Sequence, residues 1–358
     1  MIGKRRLAVS LAATTMAAAL PWRGPARAAD AESTVVFGCY GGTLEQFVRD
    51  TIVPEFKKAT GIDMKLVIGT ALSNYAKVVA TRSTPEIDVY WSNELTHAAG
   101  KQQGLYTTLD PAVVTNLSDV IDIARDPDNI GVASYVLATG IEYNSKALAD
   151  AGIPPPRSWN DLWNPKLKGK VALYSFDIAY SQDLVAIMTR LAGGKETDIG
   201  PGIKKIRSLR DSGNLTMFAA TPAELDNMMV QAQAWVTVNG STRAFILKDH
   251  GAPIDFAFPD EGAGFFTNYL DPVKHLPHPK AAQILINFLL SPDIQLAIAE
   301  NMVAAPINRK VTPPPDLIPK IPHGDEQMKK LIHIDRVVMN RDLDNWAEQW
   351  NREIQTGH

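Results

Sequence analysis

Short apolar runs alternate with longer segments of helical period along most of the chain. The short runs are rich in Val, Ile, Phe and Tyr, which favours β-strands. They predict strands at 34–39, 63–68, 87–91, 170–175, 234–238 and 254–258. Between these runs, apolar residues recur at three- and four-residue steps, the spacing of one helix face. This alternation predicts parallel strands covered by helices on both faces, and therefore an α/β fold.

The helical segments carry start and stop signals. The helix predicted from residue 43 should end at Gly61, because glycine adopts the left-handed closing conformation without steric penalty. Its apolar face is Leu44, Phe47, Val48, Ile52 and Phe56. Thr221-Pro222-Ala223-Glu224 predicts a helix start with a hydroxyl cap and a capping box, and Ser291-Pro292-Asp293 predicts another. Further helices are expected at 73–82, between the third strand and residue 104, and at 178–191.

The N-terminus has the layout of a secretory signal peptide. Lys4, Arg5 and Arg6 precede an apolar stretch at 7–20, and Ala26 and Ala28 frame a cleavage site. This pattern predicts a signal peptide at 1–28 and a mature protein in the periplasm. Arg5-Arg6 also fits a twin-arginine signal, but the residues that follow fit that motif poorly, which favours the general secretory route.

Length and charge narrow the class of protein. A mature chain of about 330 residues is more than one core usually holds, which predicts two domains. The net charge of −3 and the absence of a clustered basic segment argue against a nucleic-acid partner. Cys39 is the only cysteine, so no internal disulfide can form.

In open α/β sheets, ligands lie beyond the carboxyl ends of the strands. This rule selects the loops and helix starts that follow the predicted strands. They are 40–43, 69–74, 92–94, 175–182 and 239–242. The rule applies equally to a binding protein and to an enzyme.

Several segments in a fixed order resemble one family. They include Phe56-Lys57-Lys58-Ala59-Thr60-Gly61, Ile87-Asp88-Val89, Ser158-Trp159-Asn160-Asp161-Leu162-Trp163-Asn164-Pro165, Lys168-Gly169-Lys170, Asn239-Gly240-Ser241, Gly251-Ala252-Pro253-Ile254-Asp255, Pro259-Asp260-Glu261-Gly262 and Ile286-Asn287-Phe288-Leu289-Leu290-Ser291-Pro292-Asp293. The chain thus resembles the periplasmic solute-binding proteins of ATP-driven importers, especially the spermidine/putrescine-binding group.

The resemblance implies a two-lobed type II periplasmic-binding-protein fold, with a mainly parallel sheet in each lobe and a ligand cleft between them. The lobes are expected at 29–136 with 264–306, and at 137–263 with 307–358. Crossings are expected at 132–144, 262–269 and 305–311. The resemblance also implies a small-molecule ligand and the membrane permease and ATPase subunits of an ABC importer as partners. We expect a monomer without cofactor, metal or catalytic residues.

Strand ends and the resemblance together give the candidate ligand contacts. They are Tyr40, Gly41, Gly42, Thr43, Thr70, Asn93, Glu94, Ser175, Asp177, Tyr180, Asn239, Ser241, Phe266, Asn268 and Tyr269. Compared with the polyamine group, Asn268 replaces a principal acidic anchor, Val238 replaces an aromatic residue, and Gly41-Gly42 replaces an acid–aromatic element. These differences argue against a long polyamine with three charged nitrogens.

Two classes of ligand fit these residues. A small amine, putrescine-like or 4-aminobutyrate-like, would place its ammonium group at Glu94 or Asp177, with Tyr40, Phe266 and Tyr269 around its alkyl part. A carboxylate or phosphonate would instead bind backbone amides and hydroxyls at 41–43, 70–74 and 241–242, with Arg243 as a further donor.

Two other functions have less support. Ferric-ion binding would require an adjacent tyrosine pair, which the sequence lacks. His275 and His278 bracket Leu276-Pro277, a pattern that favours a turn over a rigid metal site. An exported hydrolase would require a nucleophile or zinc motif, and neither G-x-S-x-G nor H-E-x-x-H occurs.

Overall fold

The structure, a computed structural model, describes residues 32–355. The predicted signal peptide at 1–28 lies outside the described residues. The strands are β1 Thr34–Cys39, β2 Asp63–Ile68, β3 Val89–Asn93, β4 Val132–Asn144, β5 Val171–Tyr174, β6 Leu215–Ala219, β7 Val236–Gly240, β8 Ile254–Ala257 and β9 Gly264–Pro272.

Helices follow most of these strands. The α-helices are α1 Thr43–Phe47, α2 Val53–Thr60, α3 Ala71–Ala80, α4 Glu94–Gln102, α5 Ser145–Asp150, α6 Ala179–Leu191, α7 Gly200–Asp211, α8 Pro222–Val230, α9 Ser241–Asp249, α10 Pro279–Leu289, α11 Pro292–Met302, α12 Asp325–Lys330, α13 Arg336–Arg341 and α14 Leu343–Trp350. Short 3₁₀ helices lie at Thr115–Asp119, Asp122–Ala124, Trp159–Trp163, Pro165–Leu167 and Ile318–Lys320, and π-helical turns at Val48–Ile52 and Asn351–Gln355.

The described strands form one continuous sheet. Its order is β2-β1-β3-β9-β4-β7-β5-β6, and β8 also pairs with β4. The pairs β1–β2, β1–β3, β5–β6 and β5–β7 are parallel, whereas β9 and β4 are antiparallel to their neighbours. The two parallel regions expected from the sequence are therefore joined edge to edge by β4 and β9.

Strand β4 links the two regions directly. Its first part, Val132–Thr139, pairs with β9, and its last part pairs with β7 and β8. The sequence-based crossing at 132–144 coincides with this strand. Burial explains its length, because almost every residue of β4 is enclosed on both faces and needs a backbone partner.

Two large hydrophobic clusters lie on either side of this link. The first core includes β1, β3 and the inner faces of α10 and α11, and the second includes β5, β7 and the inner face of α6. The predicted face of the first helical segment is buried in the first core. A two-lobed arrangement follows from these separate cores.

The C-terminal part of the chain changes core later than expected. Leu317, Ile321 and Leu331 are buried in the first core, and Ile334 is buried in the second. The chain therefore passes between the cores near 331–334, whereas the crossing expected from the resemblance lies at 305–311. The exact lobe boundaries remain a prediction.

The helix ends predicted from the sequence agree with the structure only in part. Gly61 closes α2 with a φ of 76°. Thr221 caps α8 by accepting a hydrogen bond from the Glu224 amide, but the Glu224 carboxylate accepts from Ala220 rather than from the cap residue. The Ser291 hydroxyl does not cap α11, because it donates to the carbonyl of Phe288.

No single helix among residues 32–355 is long and apolar enough to cross a membrane, and only the bent pair α10–α11 meets the criteria of length and composition. The inner faces of both helices are buried in the first core.

Candidate functional site

The end of β1 and the middle of β9 meet at one side of the site. Tyr40 follows β1, and its hydroxyl oxygen accepts a hydrogen bond of 2.8 Å from the Asn268 side-chain amide. Asn268 is buried and lies opposite Asn93 in the β3–β9 register. Three residues selected from distant parts of the sequence thus lie at neighbouring positions.

The start of α4 places a carboxylate beside them. Asn93 caps this helix by accepting a 2.9 Å hydrogen bond from the Thr96 amide, and the Thr96 hydroxyl accepts a 3.1 Å hydrogen bond from the Asn93 amide. This capping box fixes Glu94 as the first helical residue. Glu94 is buried, with 8% of its surface exposed.

The second lobe contributes the start of α9. Asn239 is fully buried, and its side-chain amide donates to Glu142 at 2.9 Å. The Ser241 hydroxyl is also buried and has no hydrogen-bond partner among the described residues. Tyr180 packs against Gly240 so closely that a side-chain carbon there would lie 2.4 Å from the tyrosine oxygen. Glycine at this position therefore allows the aromatic ring to cover the start of α9.

Other candidates are placed at the surface. Gly41, Gly42, Thr70 and Asp177 are exposed. Thr70 caps its own helix, α3, by accepting a hydrogen bond from the Ser73 amide. Ser175 is half-buried and follows β5, and the side chain of Thr43 is outside the described part of the structure. Asp177 is thus not brought near Glu94 by any described contact.

One arginine joins the two sides of the site. The Nε of Arg336 donates to a carboxylate oxygen of Glu94, and its Nη1 donates to Asp183 at 2.6 Å. Its guanidinium carbon lies 5.4 Å from the centre of the Phe266 ring, a cation–π distance. The second oxygen of Asp183 accepts a 2.7 Å hydrogen bond from the Thr139 hydroxyl of β4. Two carboxylates from opposite lobes therefore converge on one cation.

This cluster is buried and incompletely paired. Glu94 Oε1 and Arg336 Nη2 have no hydrogen-bond partner among the described residues. Burial raises the pKa of Glu94 to about 7, although the neighbouring Arg336 acts in the opposite direction. Burial similarly raises the pKa of Glu142 to about 7. A buried polar atom without a hydrogen-bond partner raises the free energy of the folded protein. Glu94 Oε1 and Arg336 Nη2 are therefore suited to bind groups of a ligand.

A cavity of about 360 Å³ adjoins the cluster. Glu94, Tyr269 and Arg336 line it, together with residues of 123–127 and 333–337. The ring of Tyr269 stacks on His97 with 3.9 Å between the ring centres. The volume is at the small end of the range for ligand pockets, which fits a small solute.

Asp183 and Arg336 are not among the ligand contacts predicted from the sequence. Asp183 lies one turn after Tyr180 on the predicted helix at 178–191, so a helical count from Tyr180 would have found it. Arg336 follows no strand, and no rule about strand ends reaches it. Only its inward orientation, with 8% exposure, marks it as unusual for an arginine.

Comparison with known proteins identifies the family. Residues 84–325 match the family described as bacterial extracellular solute-binding protein. The chain belongs to this family. The match covers more than half of the chain, and the expectation of a solute-binding protein rather than an enzyme is thereby confirmed.

This solute-binding protein is similar in sequence to one known relative and in fold to two solved structures. The spermidine/putrescine-binding periplasmic protein of Escherichia coli K12 is 29% identical over 285 residues, covering 76% of this chain and 77% of the relative. A putative extracellular solute-binding protein from Bordetella parapertussis has a TM-score of 0.80 at 19% identity, covering 90% of this chain and 99% of that one. A periplasmic binding protein from Actinobacillus pleuropneumoniae, with fructose-6-phosphate bound, has a TM-score of 0.63 at 19% identity, covering 90% and 99%.

These similarities confirm the two-lobed α/β fold and the role of substrate-binding component of an ABC transporter. They do not fix the ligand, because one relative is named for polyamines and one structural neighbour holds a sugar phosphate. Among residues 32–355, no group of three or more His, Cys, Asp or Glu side chains is arranged to hold a metal ion.

Proposed function

We propose that this protein captures a small amine in the periplasm and delivers it to an ABC importer. The observation that carries the proposal is the convergence of Glu94 and Asp183, from opposite lobes, on a single positive charge next to the Phe266 ring. Carboxylates and an aromatic face are what a buried ammonium group requires. The name of the Escherichia coli relative supports an amine as ligand.

The location of the cluster also suits closure of the lobes. Glu94 begins a helix of the first lobe, and Asp183 lies on α6, which packs on the second core. A ligand whose ammonium group binds Glu94 while another part contacts the second lobe binds the closed state better than the open state. Such differential affinity is what shifts a two-state equilibrium.

A ligand that carries a carboxylate as well as an ammonium group is the second candidate. It is favoured by two buried donors without a partner in the described region, Arg336 Nη2 and the Ser241 hydroxyl. An ω-amino acid such as 4-aminobutyrate would supply an anion to these donors and an ammonium group to Glu94. A purely anionic ligand has less support, because Gly41, Gly42 and Thr70 are exposed rather than gathered in the site.

A thermal-shift screen of the purified exported protein tests the proposal. The panel is n-butylamine, putrescine, spermidine, 4-aminobutyrate, succinate and an aminophosphonate. A ligand at a hundredfold its Kd should raise the free energy of unfolding by about 2.7 kcal/mol. We expect the strongest shift with an amine or with 4-aminobutyrate. A shift with succinate and none with any amine would refute the proposal.

Two carboxylate variants make the screen specific. Glu94→Gln removes the charge of the buried group and should reduce the affinity for the amine at least tenfold. Asp177→Asn removes the exposed carboxylate in the loop after β5 and should leave the affinity unchanged. Equal losses in both variants would indicate a nonspecific effect of net charge.

A further inference from the structure

The side chain of Arg336 is turned into the site from α13, a short helix that also buries Met339 in the second core. Its neighbour Val337 is 49% exposed, and Arg341 at the end of the same helix is also exposed. Arg336 itself lies outside residues 84–325, the part that matches the family.

The contacts of Arg336 are those that a cationic ligand would make. Its guanidinium donates to Glu94 and Asp183 and lies over the Phe266 ring. We propose that Arg336 is an internal cation that fills one amine position of the cleft, and that it restricts the ligand to a single ammonium group. This inference rests on the proposed function, since it concerns the same site.

The charges of the cluster support a limit of one ammonium group. Two carboxylates and one guanidinium leave a net charge of one negative unit, which a monoamine neutralises. A second ammonium group would enter with a net positive charge, and an uncompensated buried charge is strongly unfavourable.

The available oxygens support the same limit. Glu94 Oε2 and both oxygens of Asp183 already accept hydrogen bonds, from Arg336 and Thr139. Glu94 Oε1 is buried and has no partner among the described residues, so it is the carboxylate oxygen that the cluster of Glu94, Asp183 and Arg336 leaves for the ligand. Glu142 Oε1 is also buried without a partner among the described residues, but Glu142 makes no described contact with Arg336, and its other oxygen accepts from Asn239.

Matched ligands of equal chain length test this inference. Calorimetric titration with n-butylamine and with putrescine, at about pH 8 so that Glu94 is ionised, gives the ratio of the two Kd values. We expect the wild-type protein to bind n-butylamine about tenfold more tightly than putrescine or better. Equal affinities, or a preference for putrescine, would overturn the inference.

Variants at Arg336 separate charge from structure. Arg336→Gln should shift the ratio about tenfold or more towards putrescine, because the diamine then supplies the missing cation. Arg336→Lys keeps the charge and should keep the wild-type preference, and Arg341→Gln, on the exposed end of α13, should change nothing. An unchanged ratio in Arg336→Gln would show that Arg336 only stabilises the fold.

A charge-matched double variant covers the case in which Arg336→Gln does not fold. Asp183→Asn with Arg336→Gln restores one net negative charge and should bind the monoamine preferentially, as the wild type does. A preference for putrescine in this double variant would contradict the inference. If no amine binds to the wild type at all, the proposed function fails. If amines bind without regard to Arg336, only the present inference fails.

Discussion

His97 is held between two aspartates next to the candidate site. Its Nδ1 lies 2.8 Å from Asp271 and its Nε2 lies 3.4 Å from Asp126, which also accepts a 2.5 Å hydrogen bond from Lys101. Burial opposes the charged imidazole, but the two aspartates outweigh it and raise the pKa of His97 to about 9. The same contacts lower the pKa of Asp126 against the effect of burial.

This arrangement predicts a pH dependence of stability. Because the pKa of His97 is higher in the folded state, its contribution is fully present below about pH 6.5 and is lost as the pH rises through about 9. In urea denaturation, the wild-type protein should lose on the order of 3 kcal/mol more than His97→Gln over this interval.

The exposed His250 offers a control for that measurement. His250 lies at the end of α9, and His250→Gln should have the wild-type dependence on pH. Identical curves for the wild type and His97→Gln would show that the imidazole between Asp126 and Asp271 is not charged.

At the scale of single elements, helix α4 depends on a glycine that its sequence does not explain. A side-chain carbon on Gly100 would lie 2.1 Å from the hydroxyl of Tyr106. That hydroxyl is 2.5 Å from the hydroxyl of Tyr90 and donates to the carbonyl of Thr96 at 2.8 Å. Tyr106 is therefore held from two sides and cannot move away.

Gly100→Ala should consequently destabilise the protein by about 1–3 kcal/mol, although alanine is the better helix former. In Tyr106→Leu, where the hydroxyl is gone, the same change should cost clearly less, giving a coupling of at least about 0.5 kcal/mol in a double-mutant cycle. Denaturation of the four proteins measures it. Additive effects would show that overlap with Tyr106 is not the cause.

Most elements were predictable because their periodicity is local. The buried residues of α1, α2 and β1 are the ones that the spacing selects, and Gly61 ends the helix as expected. The π turn at Val48–Ile52 was not predictable, because the i+3 and i+4 pattern continues through it. Strand β6 was missed because its five residues mix buried and exposed positions without regular alternation.

The candidate site was predictable only in part, because a local sequence pattern does not show which distant residues meet. The rule that ligands lie beyond the carboxyl ends of strands predicted Glu94 and Ser241, because these residues directly follow β3 and β7. The partners that define the chemistry, Asp183 and Arg336, are separated by about 150 residues in the sequence and meet only through tertiary packing. A charged residue that faces inward cannot be distinguished from a solvated one before the packing is known.

At the scale of the whole molecule, Arg336 connects the lobes without a ligand. Its contact with Glu94 joins the C-terminal segment, which packs on the second core, to α4 of the first lobe. Strands β4 and β9 join the lobes covalently. The ion pair between Arg336 and Glu94 is an additional contact across the cleft, and it opposes opening of the cleft. Glu94→Ala removes the first-lobe partner of Arg336.

Small-angle scattering of the ligand-free protein tests this connection. Glu94→Ala should increase the radius of gyration relative to the wild type, because loss of the ion pair shifts the population towards open states. Asp177→Asn, an exposed change of equal charge, should leave the scattering curve unchanged. A wild-type curve for Glu94→Ala would mean that closure does not depend on this pair.

The central position of β9 has a consequence for biosynthesis. Strand β3 pairs with β9, so Tyr90 meets Asp271 only after about 180 further residues have been made. At about 5–20 residues per second, one edge of β3 remains without its partner for roughly ten seconds or more. During that time Val89 and Trp91, which become fully buried, are on an open strand edge prone to aggregation. The nascent chain should therefore require a holding chaperone mainly while residues 90–270 are being synthesised.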